Sequence, residues 1–345
     1  MRIALLGPVR VLDDDARQVT LGGARSRALV ARLALDAGRA VPSDALIDDL
    51  LERELPRAMA HPHPWARAAA HWVDAFALTD RGDWRGGAER LAVTLSLFED
   101  VGDRYGLAMT LMSLARVHSV EGEYGTAVAM AERAVALAAE FSAGEEVMYR
   151  SWLAGLRMRG GDQEGAAADV AAARRRVVRR AQPYSEIELL LRLADLHRRT
   201  GEVDRAERTL DRLEAFAREM SIPAEAAAGR VAAARLADQL TAGAAGRARD
   251  LLPAAVQAAF AARDPASAAE QLARLLLLEG DRAGAATALG TSRAIRGVFD
   301  RGEPELRALV SDLTARLGER EYHAAYRRGA EMPRQEALNQ LAGLT

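Results

Sequence analysis

Apolar residues recur at helical spacing through most of the chain, and residues 105–141 show the pattern most clearly. Leu107 and Leu111 open an apolar stripe at steps of three and four residues, which predicts an amphipathic helix. Gly122 then ends this helix, and a second apolar stripe begins at Ala127. Two such helices cannot bury both apolar faces alone, so the pair needs neighbours of the same kind.

A glycine followed five residues later by an alanine recurs along the chain at a period near 40. In the first unit the alanine is Ala88, one residue later than in the others. Glycine readily takes the left-handed conformation that ends a helix, and alanine lets the next helix approach closely. The pattern predicts about six stacked helix pairs. Their glycines are Gly82, Gly122, Gly161, Gly201, Gly243 and Gly280, at steps of 40, 39, 40, 42 and 37 residues.

Residues at fixed places around these turns resemble the tetratricopeptide repeat in its longer form. The fifth unit departs from that pattern, because it has Pro253 inside its second helix and Arg235 at the leucine position. The resemblance implies an all-α helical-repeat solenoid over residues 67–300, followed by C-terminal capping helices over 301–345. The residues that carry it in the second unit are Leu114, Ala115, Tyr124, Ala127 and Ala134, with Trp84 in the first unit and Leu193, Ala194 and Ala206 in the fourth.

The aromatic residues of the array are expected to serve packing. A terminal repeat has an exposed apolar end, so we expect Trp65 and Trp72 to cover the end of the first unit. Met148, Tyr149 and Trp152 open the third unit, and we expect them in the core rather than around a ligand.

Residues 1–51 have a different pattern from the array. Short alternating runs at 1–6, 9–12 and 19–21 predict strands that pair with one another. Apolar spacing at 24–37 and 44–51 predicts two helices, the second with Ser43 as its N-cap. A linker with two histidines and several prolines follows at 52–66.

The N-terminal segment contains four characteristic runs: Leu6-Gly7-Pro8 with Val11, Val19-Thr20-Leu21-Gly22-Gly23, Arg25 with Arg27-Ala28-Leu29, and residues 38–48. In these runs it resembles the front of the winged-helix domain of the SARP-type regulators, the actinobacterial antibiotic regulatory proteins. The resemblance implies a transcriptional regulator and makes Arg25, Arg27, Arg39 and Arg53 its candidate DNA-contacting residues. The C-terminal end likewise resembles the end of the repeat domain in the large members of the family.

The segment departs from the family after residue 51. The family's recognition helix, wing, activation domain and nucleotide-binding domain have no counterpart, and residues 1–51 contain seven Arg against seven Asp. Two interpretations therefore stay open. The chain is a transcriptional regulator, or a shortened relative of one, whose array binds a protein, peptide or small molecule; alternatively it is a helical-repeat adaptor without DNA-binding activity. A helix with exposed Arg53, Arg57 and Arg67 would favour the first.

Charged residues give one candidate binding patch. The strongest basic cluster lies at the end of the third unit and indicates a surface for an anionic partner. It consists of Arg174, Arg175, Arg176, Arg179 and Arg180. Separately, the array as a whole predicts a protein or peptide partner on its concave surface.

Composition argues against catalysis. The chain has no Cys and no Lys, which excludes thiolate zinc sites, cysteine nucleophiles and the usual phosphate-binding loop. His61 and His63 lack the further ligands that a metal site needs. We therefore expect no enzyme, cofactor or metal. Without a signal-peptide pattern or a long apolar run, we expect a cytoplasmic protein that does not enter a membrane.

Overall fold

The N-terminal region begins with three short antiparallel strands. The computed structural model describes residues 2–4, 10–12, 17–19, 54–177, 183–222 and 224–345. Strands β1 (Arg2–Ala4), β2 (Arg10–Leu12) and β3 (Gln18–Val19) pair in chain order, which agrees with the pairing predicted from the alternating runs. The helices predicted at 24–37 and 44–51 lie outside the described residues.

Fifteen further elements, all helices, follow between Pro64 and Ala342 in the described part of the chain. They confirm the predominantly helical architecture that the apolar spacing predicts. Their bounds are α1 Pro64–Asp80, α2 Trp84–Val101, α3 Arg104–Glu121, α4 Tyr124–Phe141, α5 Ala143–Arg159, α6 Gln163–Arg176, α7 Pro183–Arg199, α8 Val203–Glu219, α9 Ala224–Thr241, α10 Ala245–Ala261, α11 Pro265–Leu278, α12 Arg282–Arg296, α13 Pro304–Leu317, α14 Glu319–Ala330 and α15 Arg334–Ala342.

The six predicted turn glycines all separate the two helices of a pair. Each has a positive φ, between 71° and 89°, in the region that favours glycine. The alanine five residues later is fully buried in the second to sixth pairs, for example Ala127 and Ala206. In the first pair the buried residue at this offset is Gly87 rather than Ala88, because a Cβ there would lie 2.5 Å from the Thr79 methyl group. The expectation for Ala88 was therefore wrong.

Packing is local and stepwise along the array. One hydrophobic cluster joins α3, α4 and α5, the next joins α5 to α7, and a third joins α7 to α9. Each helix pair thus buries its apolar faces against its neighbours, as expected for a solenoid. The odd-numbered helices from α1 to α11 are called the inner helices below, and their even-numbered partners the outer helices.

The irregular fifth pair also forms. Pro253 lies within α10, which continues from Ala245 to Ala261. Arg235 on α9 replaces the expected leucine and pairs with Glu207, Asp211 and Glu214 on α8. A network of ion pairs between neighbouring helices thus takes the place of an apolar contact.

Helical structure begins inside the range predicted as a linker. Residues 54–59 are helical, and α1 begins at Pro64 rather than at residue 67. Proline is favoured in the first turn of a helix, where its missing N–H has no partner to lose. Trp65 is 46% exposed and donates to Asp103, so it bridges two inner helices rather than covering the end of the array.

The C-terminal helices pack on the last repeats and also reach back to the first. α13 and α14 share a cluster with α11 and α12, as expected for a cap. The connection after α12 then passes the ends of the early inner helices. We call residues 297–305 the closing segment.

The closing segment joins both ends of the array. Trp84 Nε1 donates to the carbonyl of Arg296 at 2.7 Å, which places α12 beside the start of α2. Gly302 N donates to the carbonyl of Val120 at 3.0 Å. A Cβ on Gly302 would lie 1.7 Å from the Ser119 carbonyl oxygen, so only glycine fits this contact. The solenoid therefore closes on itself.

Candidate ligand cavity

Closure of the array leaves a cavity of about 630 Å³ against the inner helices. Its volume lies within the range of small-molecule sites, about 300–1,000 Å³. The wall is apolar over most of its area and comes mainly from α1, α3 and α5. The apolar lining residues are Trp72, Phe76, Trp84, Tyr105, Met109, Met112, Val120, Met148, Tyr149, Trp152 and Leu156.

Aromatic side chains are arranged in contacting pairs around this wall. The rings of Trp72 and Phe76 meet edge to face at 4.5 Å, and those of Tyr149 and Trp152 lie 5.5 Å apart. Tyr105 is 45% exposed, so the lining reaches solvent at this residue. Methionines fill the spaces between the rings, and their flexible side chains adapt to varied shapes.

Glu145 is an acidic residue in this aromatic wall. It lies in the first turn of α5, where the helix dipole favours a carboxylate. Burial raises the pKa of Glu145, and a hydrogen bond from the Tyr149 hydroxyl opposes that shift. Its Oε2 is buried and has no hydrogen-bond partner in the described residues. The carboxylate therefore has an incompletely satisfied charge.

The opposite side of the cavity carries charged side chains, and these pair with one another. Arg159 Nη2 contacts Asp300 Oδ1 at 2.5 Å, and Arg199 Nη1 contacts Glu303 Oε1 at 3.1 Å. Burial alone would raise the pKa of Asp195, but the guanidinium groups of Arg199, Arg198 and Arg192 outweigh it and hold that pKa at about 2. These pairs connect the inner helices to the closing segment.

A second cavity of about 490 Å³ continues along the charged side. Its wall is rich in alanine and in paired charges from α7, α9 and α11. Asp238 lines it, and burial raises the pKa of Asp238 to about 7 although Arg198 lowers it. Asp238 Oδ2 makes no hydrogen bond within the described part of the chain.

The predicted basic patch lies apart from both cavities. Arg174, Arg175 and Arg176 form the last turn of the outer helix α6 and are exposed, but Arg176 also pairs with the buried Glu146 at 3.4 Å. Arg179 and Arg180 lie outside the described residues. The candidate DNA-contacting residues Arg25, Arg27, Arg39 and Arg53 also lie outside them.

The described residues contain no group of three or more potential metal ligands, and none of their helices is both long and apolar enough to cross a membrane. His118 and His197 each contact a glutamate at the following turn, Glu123 at 2.6 Å and Glu202 at 2.7 Å. The two histidines occupy equivalent places in two repeats, so the same contact across the turn is made twice.

The chain matches no protein-family model and no curated protein.

The sequence pattern predicts that the aromatic and methionine residues of the cavity wall pack in the core or over the first repeat. The core prediction holds for Tyr149, which is 1% exposed, but Met148 and Trp152 are only partly buried and line the cavity. Trp72 lines the cavity too, instead of covering the first repeat. A signal was present: α3 and α5 carry large apolar residues on a second face, beyond the stripe that packs against their partners.

Proposed function

We propose that the helical repeats form a ligand-binding domain that takes up a small, largely apolar molecule. The observation that carries this proposal is the aromatic and methionine lining of the larger cavity. Pockets of this size that are lined mainly by large apolar side chains, with a few polar groups, are typical of small-molecule sites. The closing segment favours a small molecule over a threaded peptide, because it crosses the ends of the inner helices at Val120 and Arg159.

Within this proposal the chain is a regulator of the SARP type, or a shortened relative, in which the array senses the ligand. The resemblance in residues 1–51 supports it, and so do the three antiparallel strands found there. Of the three arginines that would favour the regulator, Arg57 is exposed on the helical stretch at 54–59, where it lies 3.6 Å from Glu54. Arg67 is half-buried and donates to the carbonyls of His61 and Pro62, and Arg53 lies outside the described residues. Ligand binding is therefore the better supported part of the proposal.

Titration with the neutral dye N-phenyl-1-naphthylamine tests the ligand-binding domain. Three of the four tryptophans line the cavity, so energy transfer from tryptophan to the dye reports binding close to them. We expect one dye per folded chain. Met109→Trp fills the cavity and should weaken binding by at least about tenfold. Val93→Trp on the exposed face of α2 is the matched control and should bind as the original chain does.

Dye binding without a defined stoichiometry, or equal binding by Met109→Trp, would contradict a built cavity.

The DNA-binding part has a separate test. Fluorescence anisotropy with labelled duplex from the upstream region of the protein's own gene, beside a scrambled duplex, should show sequence-dependent binding that weakens steeply with salt. Flat titrations at low salt would favour the adaptor interpretation, in which the chain does not contact DNA.

A further inference from the structure

The acidic residues that line the larger cavity form ion pairs with arginines, and Glu145 is the exception among the described residues. Asp195, Asp300 and Glu303 each pair with an arginine of the inner helices. Asp264 pairs with Arg296 at 3.6 Å. Glu145 forms no ion pair with any described residue, and the hydroxyl of Tyr149 is its only polar side-chain contact there.

The basic residues of the lining leave Glu145 without a counter-charge. Arg116 lies over the ring of Trp84, with its guanidinium carbon 5.3 Å from the ring centroid. Arg192 contacts Asp195 at 3.6 Å, and Arg159 contacts the closing segment. An unpaired carboxylate in a partly dry site is unfavourable, and a bound cation would remove that cost.

Two tyrosines lie near the Glu145 carboxylate, and a tryptophan lies next to one of them. Tyr149 lies one turn after Glu145 on α5 and its ring is 5.5 Å from that of Trp152. Tyr105 on α3 lies near enough for Glu145 to raise the pKa of its hydroxyl, after the larger effect of burial. Ring faces attract ammonium groups, most strongly when a site also excludes water. A carboxylate near two tyrosines, one of them next to Trp152, is therefore suited to an organic cation.

We infer that the cavity binds a small organic ammonium ion, with its cationic nitrogen beside Glu145 and its hydrocarbon part against the methionines and Trp152. This inference rests on the proposed ligand-binding function and names the class of ligand. The cavity volume of about 630 Å³ accommodates one ring system with a short amine arm. On the opposite wall the charged groups pair with one another and with the closing segment. Arg159 Nε and Arg192 Nε have no hydrogen-bond partner among the described residues, and these donors suit an acceptor group of the ligand but not its cationic nitrogen.

Three probes that share one ring system separate charge from apolar contact. They are 2-(2-naphthyl)ethylamine, the corresponding alcohol and 2-naphthylacetic acid, titrated by calorimetry against the full chain at pH 7. We expect the amine to bind at least about tenfold more tightly than the alcohol, and the acid to bind most weakly. Glu145→Gln should abolish the preference for the amine, and it should weaken binding of the amine much more than binding of the alcohol.

Glu164→Gln is the matched control, because Glu164 is exposed on the outer helix α6 and does not line the cavity. It should keep the preference of the original chain. Thermal unfolding of the Gln variants without ligand tests folding independently. Glu145→Gln removes an unpaired buried charge but also the favourable interaction of a carboxylate with the helix dipole, so its free energy of unfolding should stay within about 1 kcal/mol of the original chain.

The outcomes are distinguishable. Equal binding of all three probes would overturn the inference about charge and leave the apolar ligand-binding function standing. Failure of all three to bind, together with failure of the neutral dye N-phenyl-1-naphthylamine, would overturn both. A preference for the amine that survives in Glu145→Gln would place the cation elsewhere and also overturn the inference.

Discussion

The inner surface of the array has an aromatic half and a charged half, and the two are used differently. α1, α3 and α5 present tryptophans, tyrosines and methionines to an open cavity. α7 presents Arg192, Asp195 and Arg199, and these side chains hold one another and the closing segment. The aromatic side chains of α1, α3 and α5 thus form a binding surface. The charged side chains of α7, together with Arg159 and Ser119 at the ends of α5 and α3, hold the closing segment and form what we call the clamp.

The difference shows how a repeat protein can assign separate tasks to similar units. Ion pairs need defined partners at defined distances, which suits the fixed register of an internal segment. Aromatic and methionine side chains accept many shapes, which suits a ligand. Four predictions test this division, beginning with the largest effect.

Arg159→Met should break the clamp most severely. Arg159 joins α5 to Asp300, which is 5% exposed and would lose its cation. Removing one partner of a buried ion pair costs about 3–5 kcal/mol, so urea unfolding should show a loss of that order. Arg85→Met, which removes a fully solvated pair with Glu89, should change stability by less than about 1 kcal/mol. Equal effects for the two variants would contradict a clamp at Arg159.

Gly302→Ala should disturb the same clamp through backbone contact. Its Cβ would collide with the Ser119 carbonyl, and overpacking of this kind costs about 1–3 kcal/mol. Gly125→Ala on α4 is the control: nothing lies within 4 Å of its Cβ, so better helix propensity should raise stability slightly. Hydrogen exchange should also become faster in the closing segment of Gly302→Ala. Unchanged exchange there would count against closure.

Asp238→Asn should change how stability depends on pH. The pKa of Asp238 is about 7 in the folded chain, above its usual value, so the folded state holds the proton more tightly than the unfolded state. Stability should therefore fall as pH rises from about 4 to 7 and then level off. Asp238→Asn should reduce this fall and add about 1–2 kcal/mol at pH 8, since the variant has no buried charge at this place. Parallel pH curves for the two proteins would contradict this assignment.

Arg116→Gln should have the smallest effect, and it tests the aromatic half. Arg116 covers the ring of Trp84, and such a contact contributes about 0.5–1 kcal/mol at a partly exposed place. Thermal unfolding should show a loss of that size, with a change in tryptophan emission. Arg133→Gln, which removes an exposed pair with Glu99, should leave the emission unchanged.

The turns could be predicted from the sequence because their cause is local. Each turn needs a left-handed glycine, and Gly122 and its five counterparts recur at a fixed period. In the first pair the prediction assigned the close helix approach to Ala88, but Gly87, five residues after Gly82, makes that approach. A period near 40 gives the number of helix pairs but no information about whether the superhelix closes. Contact between Gly302 and Ser119 depends on that curvature and has no local signature.

The cavity was missed for a related reason. Large apolar residues such as Met148 and Trp152 have the same spacing whether they face a neighbour or an opening. Only closure of the array separates these cases, because it brings α1, α3 and α5 around a shared space. The unpaired state of Glu145 also depends on which arginines lie nearby in space, and a single sequence does not give those distances.

The hydrogen bond between Trp84 and Arg296 joins residues 212 positions apart, and this separation has consequences for folding kinetics. Most other packing is between neighbouring pairs and can form early and independently. The joint between the first and last units has to wait until nearly all of the chain is made, and its formation carries the entropy cost of closing a long loop. Once formed, it leaves the array without a free N-terminal unit to fray, so unfolding from an end requires opening the joint first.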